Sequence, residues 1–360
     1  MRTGAEPLEL TVIVPHYGDP APAAALVAQL RTQRPAERHP LPSHEIVVVD
    51  DRSPRPFDAP GATGDAAPVR VVRRERNGGF GAAVNTGAEA ARGELLLVLN
   101  SDLSIEPDFV ARFVGEARPW LPAVVSPHVE ETRGRSGWAG RHFPRTRHYA
   151  VEWLAPLARW RHLPGLHEAV GHDTRAVEGA VVTVDWVAGA AMLLPREALL
   201  RVGGIDEGYR MYVEEVDLQR RLRERGLPAV YLGTVRVEHV GGGSSDDERR
   251  RRWLVAARLR YARKWDEGPL RQRLALTAAT LVNLAANLPR RALGRDVDPL
   301  ATARFELDLI WGGDRGDRPP AATRADRPGS TEHETGAPGT GHATGAHDAD
   351  APPADAEAGR

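Results

Sequence analysis

The chain of 360 residues contains no cysteine. Disulfides and thiolate zinc sites are therefore excluded, and a reducing compartment is permitted. Neither charge sign dominates: 48 basic against 49 acidic residues leave a formal net charge of -1, which argues against a chain-wide nucleic-acid binder. A long apolar run is also missing. The longest uncharged stretch of helical character, Leu274 to Pro289, carries Thr277, Thr280, Asn283 and Asn287 and falls short of the roughly 20 residues that span a bilayer. Met1 to Leu10 show no basic segment leading into an apolar one, so no secretory signal is expected and a cytosolic location is.

What is present is a core-forming composition, 41% hydrophobic, enough for one large domain or two smaller ones. Leu95-Leu96-Leu97-Val98-Leu99 is an unbroken apolar run that ends abruptly in Asn100-Ser101-Asp102. Without polar alternation it reads as a central strand covered on both faces, as in a parallel sheet. Ligands of open α/β sheets bind beyond the carboxyl ends of the strands. Two oxygen-bearing side chains there, Asn100 and Asp102, read either as caps of the following turn or as groups that share a hard cation with a phosphate.

The neighbouring segments repeat the pattern. Leu10 to Pro15 is a first strand followed by His16-Tyr17-Gly18-Asp19, and Ala23 to Gln33 a helix. Glu45 to Asp51 is a second buried strand, again ending in acids, and Val69 to Arg73 a third. Asn77-Gly78-Gly79-Phe80-Gly81 opens a helix over Ala82 to Arg92, with small residues where it must approach a neighbour; its N-terminus is a natural place for a phosphate. This β-α-β-α-β-α-β order signals a parallel α/β layer. Gly79-x-Gly81-x-x-Val84 imitates a dinucleotide fingerprint, but valine replaces the third glycine and the loop comes third in the layer, which argues against a nicotinamide or flavin enzyme.

Residues 126–180 read as an irregular, aromatic and basic insertion with Trp138, Phe143, Tyr149, Trp153 and Trp160, long enough to be functional. His167-Glu168 and His172 miss the spacing of a zinc-protease helix by one residue and read as polar surface. Val181 to Leu194 returns to the core, and Gly203 to Glu207 breaks the helix after it. Glu214, Glu215 and Asp217 then open another helix; acids suit a helix N-terminus, but three in four residues exceed what capping needs. His239 ends a strand before three glycines and two serines. Arg249 to Arg273 holds ten basic residues against Asp266 and Glu267, and Leu270, Leu274, Leu281, Leu284 and Leu288 follow at helical spacing. Such a segment fits either an anionic membrane surface or a helix docked on the catalytic domain. After Trp311 large apolar residues almost vanish, and 312–360 is expected to be disordered.

Taken in order, these motifs resemble the family 2 glycosyltransferases of GT-A fold, and among them bacterial rhamnosyltransferases acting on lipid-linked acceptors. The resemblance covers about residues 8 to 245. It rests on Val12-Ile13-Val14-Pro15 with Tyr17, Val49-Asp50-Asp51-x-Ser53, Asn77-x-Gly79-Phe80-Gly81 with Asn85, and Asn100-Ser101-Asp102. Further on it rests on Trp186-Val187-x-Gly189-Ala190, Gly203 to Glu207, Met211 to Leu218 and His239. It implies a mostly parallel, Rossmann-like sheet flanked by helices in a catalytic domain over 1–245, with 126–180 on the acceptor side, and a basic helical extension over 246–311.

The resemblance also implies roles. Asp50, with Asp51, would meet the base of a nucleotide sugar, and Pro15 and Tyr17 would line the base pocket. Gly79, Asn85, Asn100, Ser101, Trp186 and Gly189 would complete the nucleotide-sugar site, with Asn100 in a ribose or water-mediated role. Asp102 and His239 would hold a divalent metal, Mg²⁺ or Mn²⁺, on the diphosphate. The family's Glu-Asp pair is Glu214-Glu215 here, so Glu215 would be the general base, with Glu214 as the substitute. The expected reaction is inverting transfer from a nucleotide-diphospho-sugar to a glycan or polyprenyl-diphosphate-linked saccharide, in cell-wall or polysaccharide biosynthesis. It would take place in the cytoplasm or peripherally at the inner face of the plasma membrane. dTDP-rhamnose as donor rests on resemblance alone. Two alternatives remain at this point: a nucleotidyltransferase, which lacks its glycine-rich basic loop here, and a non-catalytic carbohydrate-binding protein on the same fold.

Overall fold

The computed structural model describes residues 8–58, 67–131, 135–160, 162–240, 247–294 and 297–312. The expected disordered tail, apart from Gly312, and the glycine-serine run after Val240 lie outside them.

The apolar runs do become strands. β1 (Leu10–His16), α1 (Pro20–Arg31), β2 (His44–Asp50), β3 (Val69–Arg73), α2 (Phe80–Ala90) and β4 (Leu95–Leu99) follow one another, and β3, β2, β1 and β4 lie side by side, all parallel. Leu96 to Leu99 are fully buried, as expected of strands covered on both faces. α2 sits close on the sheet because its glycines permit it: a Cβ on Gly87 would lie 2.6 Å from Ile13 Cγ2. α1 begins where Asp19 accepts from the Ala21 N–H and proline occupies the first turn, both good N-terminal signals.

After β4 come β5 (Leu103–Ser104), α3 (Phe109–Ala117), β6 (Val124–Glu131), β7 (Arg135–Ser136), β8 (Gly140–Arg141), α4 (Thr146–Trp153) and α5 (Pro164–Ala169). The first residues of the expected irregular insertion, 126–131, therefore belong to a strand of the central sheet. Pro127, His128, Glu130 and Glu131 break the apolar pattern that would have marked it, while parallel pairing with a later strand supplies the order.

The remaining strands are β9 (Val181–Val184), β10 (Trp186–Val187), β11 (Ala191–Pro195) and β12 (Ala229–His239), with α6 (Arg196–Arg201) and α7 (Glu214–Arg223) between the last two. The sheet runs β3-β2-β1-β4-β11-β6-β12-β5, with β7 and β9 attached at β6 and β12, while β8 and β10 form a separate pair. β11 is antiparallel to β4 and to β6. Its start, not its end, thus lies at the edge where β1, β2 and β4 finish, which brings the Trp186–Ala190 segment to that edge.

Three helices close the described chain: α8 (Asp247–Lys264), α9 (Pro269–Ala292) and α10 (Pro299–Trp311). α8 is docked on the sheet domain. Ala257 and Tyr261 pack with Trp186, Tyr209, Val213 and Val216, and Arg258 pairs with Glu152 at 2.7 Å. The polar residues of α9 point inward: Asn283 donates to the Trp153 carbonyl, and Thr280 links the Trp153 indole N–H to Glu306. Leu270, Leu274, Leu281 and Leu288 are 52–61% exposed. Among the described residues no helix is long and apolar enough to cross a membrane.

Candidate active site

At the ends of β1 and β2 the acids are engaged with the protein itself. Asp50 is fully buried; its carboxylate accepts from the Ser53 N–H at 2.7 Å, the Phe57 N–H at 3.2 Å and Arg73. Burial works against ionisation there, but these donors outweigh it and hold the carboxyl below its usual range. Asp51 accepts from the N–H groups of Gly78 and Gly79, and burial nonetheless raises its carboxyl. Those two amides, which precede α2, are therefore turned onto Asp51. Tyr17 is half exposed beside them while Pro15 is buried in β1.

Gly79 has φ +86, and a Cβ there would lie 2.1 Å from the Arg210 carbonyl oxygen, so only glycine fits. Asn85 on α2 clamps the segment after α6: it accepts from the Ile205 N–H at 2.8 Å and donates to the Ile205 carbonyl at 2.9 Å. Both positions hold the Gly203–Arg210 segment against α2.

At the end of β4, Asn100 gives its backbone N–H to Ala190, which ties the Asn100–Asp102 turn, Ser101 included, to the loop of Gly189. Asp102 and His239, 137 residues apart, meet with Oδ1 and Nε2 at 3.1 Å. The strands responsible are β5 and β12, in which Leu103 is the cross-strand partner of His239. The hydrogen bond to Asp102 raises the imidazole above its ordinary value although burial opposes it. Burial tends to raise the carboxyl, yet His239 brings it below the usual range. One carboxylate and one imidazole, each partly exposed, are a donor set that suits a divalent cation such as Mn²⁺ or Mg²⁺. Glu131, opposite His239 in the β6–β12 register, is a second acid at this point that no motif marked.

The third element is the start of α7. Tyr212 and Val213 have φ +72 and +70, a left-handed conformation that is costly for a β-branched residue and recurs at functional sites. It delivers Glu214 and Glu215, each with a buried Oε2 lacking any hydrogen-bond partner. Burial raises both carboxyls, Glu214 further because the Glu215 charge adds to it. The Arg141 charge pulls Glu215 the other way. Gly189 faces this carboxylate; a Cβ on it would lie 3.4 Å from Glu215 Cβ. Trp186 donates its indole N–H to the His142 carbonyl at 2.9 Å and lies under the Arg141 guanidinium. Asp217, the third acid, is fully buried on Arg221, Lys264 and the Trp265 indole.

His167 and His172 stack with Trp138, at 4.0 and 5.1 Å between ring centroids. His172 lies beyond α5, so the two do not share a helix face. Nearby, His142, Glu168 and Asp173 bring ligand atoms within 4.8 Å of one another, but both Asp173 oxygens are held by Arg175 and Glu168 accepts from Thr174.

A mixed sheet with a 3-2-1-4 parallel half whose fourth strand ends in Asn100-Ser101-Asp102 matches the GT-A class of glycosyltransferase fold. The solved structure of GalNAc-T7 with UDP, GalNAc and Mn²⁺ shares that fold, with a TM-score of 0.50 and 14% identity over 84% of this chain and 54% of that one. Residues 11–162 match the family described as Glycosyl transferase family 2, and the chain carries a domain of that family. It is 29% identical over 187 residues to the N-acetylglucosaminyl-diphospho-decaprenol L-rhamnosyltransferase of Mycobacterium tuberculosis, covering 48% of this chain and 58% of that protein. It is 26% identical over 151 residues to the Rhamnosyltransferase WbbL of Escherichia coli, covering 41% and 53%. The Pre-mycofactocin glycosyltransferase of Mycobacterium tuberculosis is 26% identical over 240 residues, 66% and 44%. The chain thus spans about half the length of the curated relatives it matches.

Proposed function

We propose that the protein is an inverting, divalent-metal-dependent glycosyltransferase that moves a sugar, rhamnose from dTDP-rhamnose in the leading reading, to a hydroxyl of a lipid-linked saccharide. The observation that carries this is the Glu214–Glu215 pair, each with a buried Oε2 that lacks a hydrogen-bond partner, set by the Gly189 loop at the same sheet edge as Asp102 and His239.

Asp102 and His239 would hold the metal, which supplies positive charge for the diphosphate that leaves. The protein's own work is positioning and proton transfer. The attacking hydroxyl must lose its proton to a base whose affinity is raised toward neutrality. Glu215 meets that requirement: burial raises it, while Arg141 keeps charge on it in preference to Glu214. One base and one in-line displacement give inversion. Relatives whose names specify rhamnosyl transfer and a diphospho-decaprenol acceptor support the choice of donor and acceptor.

A lipid-linked acceptor also places the enzyme at a membrane. α9 supports this: its sequence holds Arg271, Arg273, Arg290 and Arg291 and no carboxylate, beside the outward leucines. Apolar surface with arginines at both ends fits an anionic bilayer surface.

The decisive test is nucleoside-diphosphate release from UDP-, GDP- and dTDP-sugars with Mg²⁺ or Mn²⁺. Metal-dependent release from one donor that is lost in Asp102→Ala is expected. Equal rates in wild type and variant would refute the reading.

A further inference from the structure

A cavity of about 760 Å³ opens between α4, α5 and the α7–α8 side of the molecule. Its wall carries three arginines and three carboxylates, but they are not all paired with one another. Arg220 pairs with Glu267 at 3.0 Å, and His142 sits 2.9 Å from Glu168 and 3.8 Å from Asp185. The acids of the wall are thereby used. Arg145 and Arg147 remain, both exposed, and no carboxylate lies within ion-pair distance of either among the described residues.

His148 lines the same cavity and is 4% exposed. Its Nε2 accepts from Arg147 Nε at 3.3 Å, so the ring proton sits on Nδ1, which is buried against Gly171, outside the cavity wall. Burial and the neighbouring arginines drive this imidazole down to about 4, so it is neutral and accepts from Arg147. α4 starts at Thr146 with no side chain capping it, and its N-terminal dipole adds to the positive character of this end. Among the described residues, Arg145 and Arg147 are the charges of this wall left without an ion-pair partner.

We propose that this cavity binds the diphosphate of the lipid-linked acceptor, with Arg145 and Arg147 as its charged contacts and His148 holding the Arg147 side chain in place. The proposal rests on the acceptor class named above and specifies where that acceptor is held. Position supports it. Asp185 in the cavity wall is followed by β10 and then by Gly189 against Glu215, so four residues, at most about 13 Å of chain, separate cavity from base. An acceptor sugar would lie along β10 between its diphosphate and Glu215. On the far side, Leu163 is 47% exposed two residues before Gly165 of the wall, an apolar lip where an isoprenoid would leave. Paired guanidinium groups recognise diphosphate oxygens strongly and with geometry that lysine reproduces only as a point charge.

The test is isothermal titration calorimetry of the full chain with inorganic pyrophosphate, farnesyl diphosphate and UDP, in EDTA so that no metal assists at Asp102. Pyrophosphate and farnesyl diphosphate are expected to bind with similar affinity and to compete. The double variant Arg145→Ala with Arg147→Ala should weaken both by at least about tenfold, or ~1.4 kcal/mol. The lysine pair should recover part of the loss, and the alanine pair should keep its melting temperature because both side chains are exposed. Undiminished binding in the alanine pair, no binding by wild type, or pyrophosphate binding without farnesyl diphosphate would each overturn the proposal, as would UDP competing equally. The titration involves no donor sugar and no transfer, so its failure and a failure of donor turnover are separate results.

Discussion

The side-chain amide of Gln219 grips the backbone of Val187 from both directions: Nε2 donates to the Val187 carbonyl at 2.7 Å, and Oε1 accepts the Val187 N–H at 2.8 Å. The same Nε2 reaches the Glu215 carbonyl at 3.1 Å. One buried side chain thus locks the Trp186–Gly189 segment to the helix that carries the paired acids. Gln219→Ala would leave a buried amide and a buried carbonyl unsatisfied, at a cost of roughly 1–3 kcal/mol each. Thermal unfolding should register that loss. Gln219→Glu, which keeps the acceptor but loses the donor, should lower kcat more than it raises KM, since it disturbs the base and not the substrate's charge. An unchanged kcat in both variants would show that the clamp has no part in catalysis.

Lys264 is the only lysine in the chain, and it bridges Asp206 at 2.7 Å and Asp217 at 2.9 Å. The two acids are not equivalent. Asp217 is fully buried, whereas Asp206 is partly exposed and also pairs with Arg260. Removing the buried partner of a charge network costs more than removing an exposed one. Asp217→Ala should therefore destabilise the protein by about 3–5 kcal/mol, and Lys264→Met by much less, because Arg221 and the Trp265 indole still satisfy Asp217. Urea unfolding compares them directly, and equal losses would contradict the ranking.

The parallel half of the sheet was legible because Leu95–Leu99, Glu45–Asp50 and Leu10–Pro15 are apolar runs that need no partner to declare themselves. β6 was not, because Pro127, His128 and Glu130 interrupt its pattern and the pairing that orders it comes from β12, a hundred residues on. The leucines of α9 were visible at helical spacing, but periodicity says which residues share a face, not which face is buried. Here Thr280 and Asn283 turn inward because Trp153 and Glu306 offer them hydrogen bonds, and Gln272 and Leu276 are buried on the same helix. At the site, motif order marked Asp102, His239, Glu214 and Glu215. Arg141, Glu131 and Gln219 belong to no motif and reach the site only through strand register and side-chain length. Asp217 shows the converse: a charge beside the paired acids in sequence that is held by Arg221 of its own helix and by Lys264 and Trp265 in α8 and just beyond it.

The outward leucines of α9 give a membrane prediction that does not depend on turnover. Leu274→Glu with Leu281→Glu removes two half-exposed apolar side chains, and an incompletely buried leucine is worth on the order of 1.5 kcal/mol on transfer. Co-sedimentation with anionic vesicles should fall by at least about tenfold, while neutral vesicles should bind wild type weakly. Because both side chains already face solvent, the melting temperature should hold. Equal sedimentation of variant and wild type would assign the face to another role.

The acid groups of the fold titrate in opposite senses, and stability should follow. A carboxyl raised on folding binds more protons folded than unfolded, so Glu214 and Glu215 cost stability at neutral pH, and that cost disappears as pH falls toward about 4.3. Asp206 is the reverse. Burial opposes its ionisation, but Lys264, Arg260 and the Gly208 N–H bring it down to about 2, so its contribution is complete above about pH 3.9 and lost as pH falls toward 2. Glu45 and Asp50, also lowered, add to the acid loss. Two buried imidazoles oppose the gain on acidification: burial lowers His16 and brings His148 down to about 4, so each costs stability as pH falls below about 6.5. The melting temperature of Glu214→Gln should therefore exceed that of wild type at about pH 8 and converge with it near about pH 4.5, with the steep acid fall below kept in both; a constant difference would place its origin elsewhere.

The same pair separates base from neighbour. Glu215→Gln removes the proton acceptor and should lower kcat by about 10²–10⁴-fold with little change in KM. Glu214→Gln replaces a carboxyl that is raised further than Glu215 and so stays protonated while Glu215 titrates, and the acidic limb of the kcat/KM profile should stay in place. Arg141→Gln does displace it: Glu215 loses the cation that favours its charged form, and the limb should move to higher pH. A base at Glu214 would change these outcomes, with Glu214→Gln abolishing transfer and Glu215→Gln only displacing the profile. Whether the limb stays in place on losing the partner carboxyl and moves to higher pH in Arg141→Gln, read from pH–rate curves of the three variants, therefore assigns the base independently of how far any one of them loses activity.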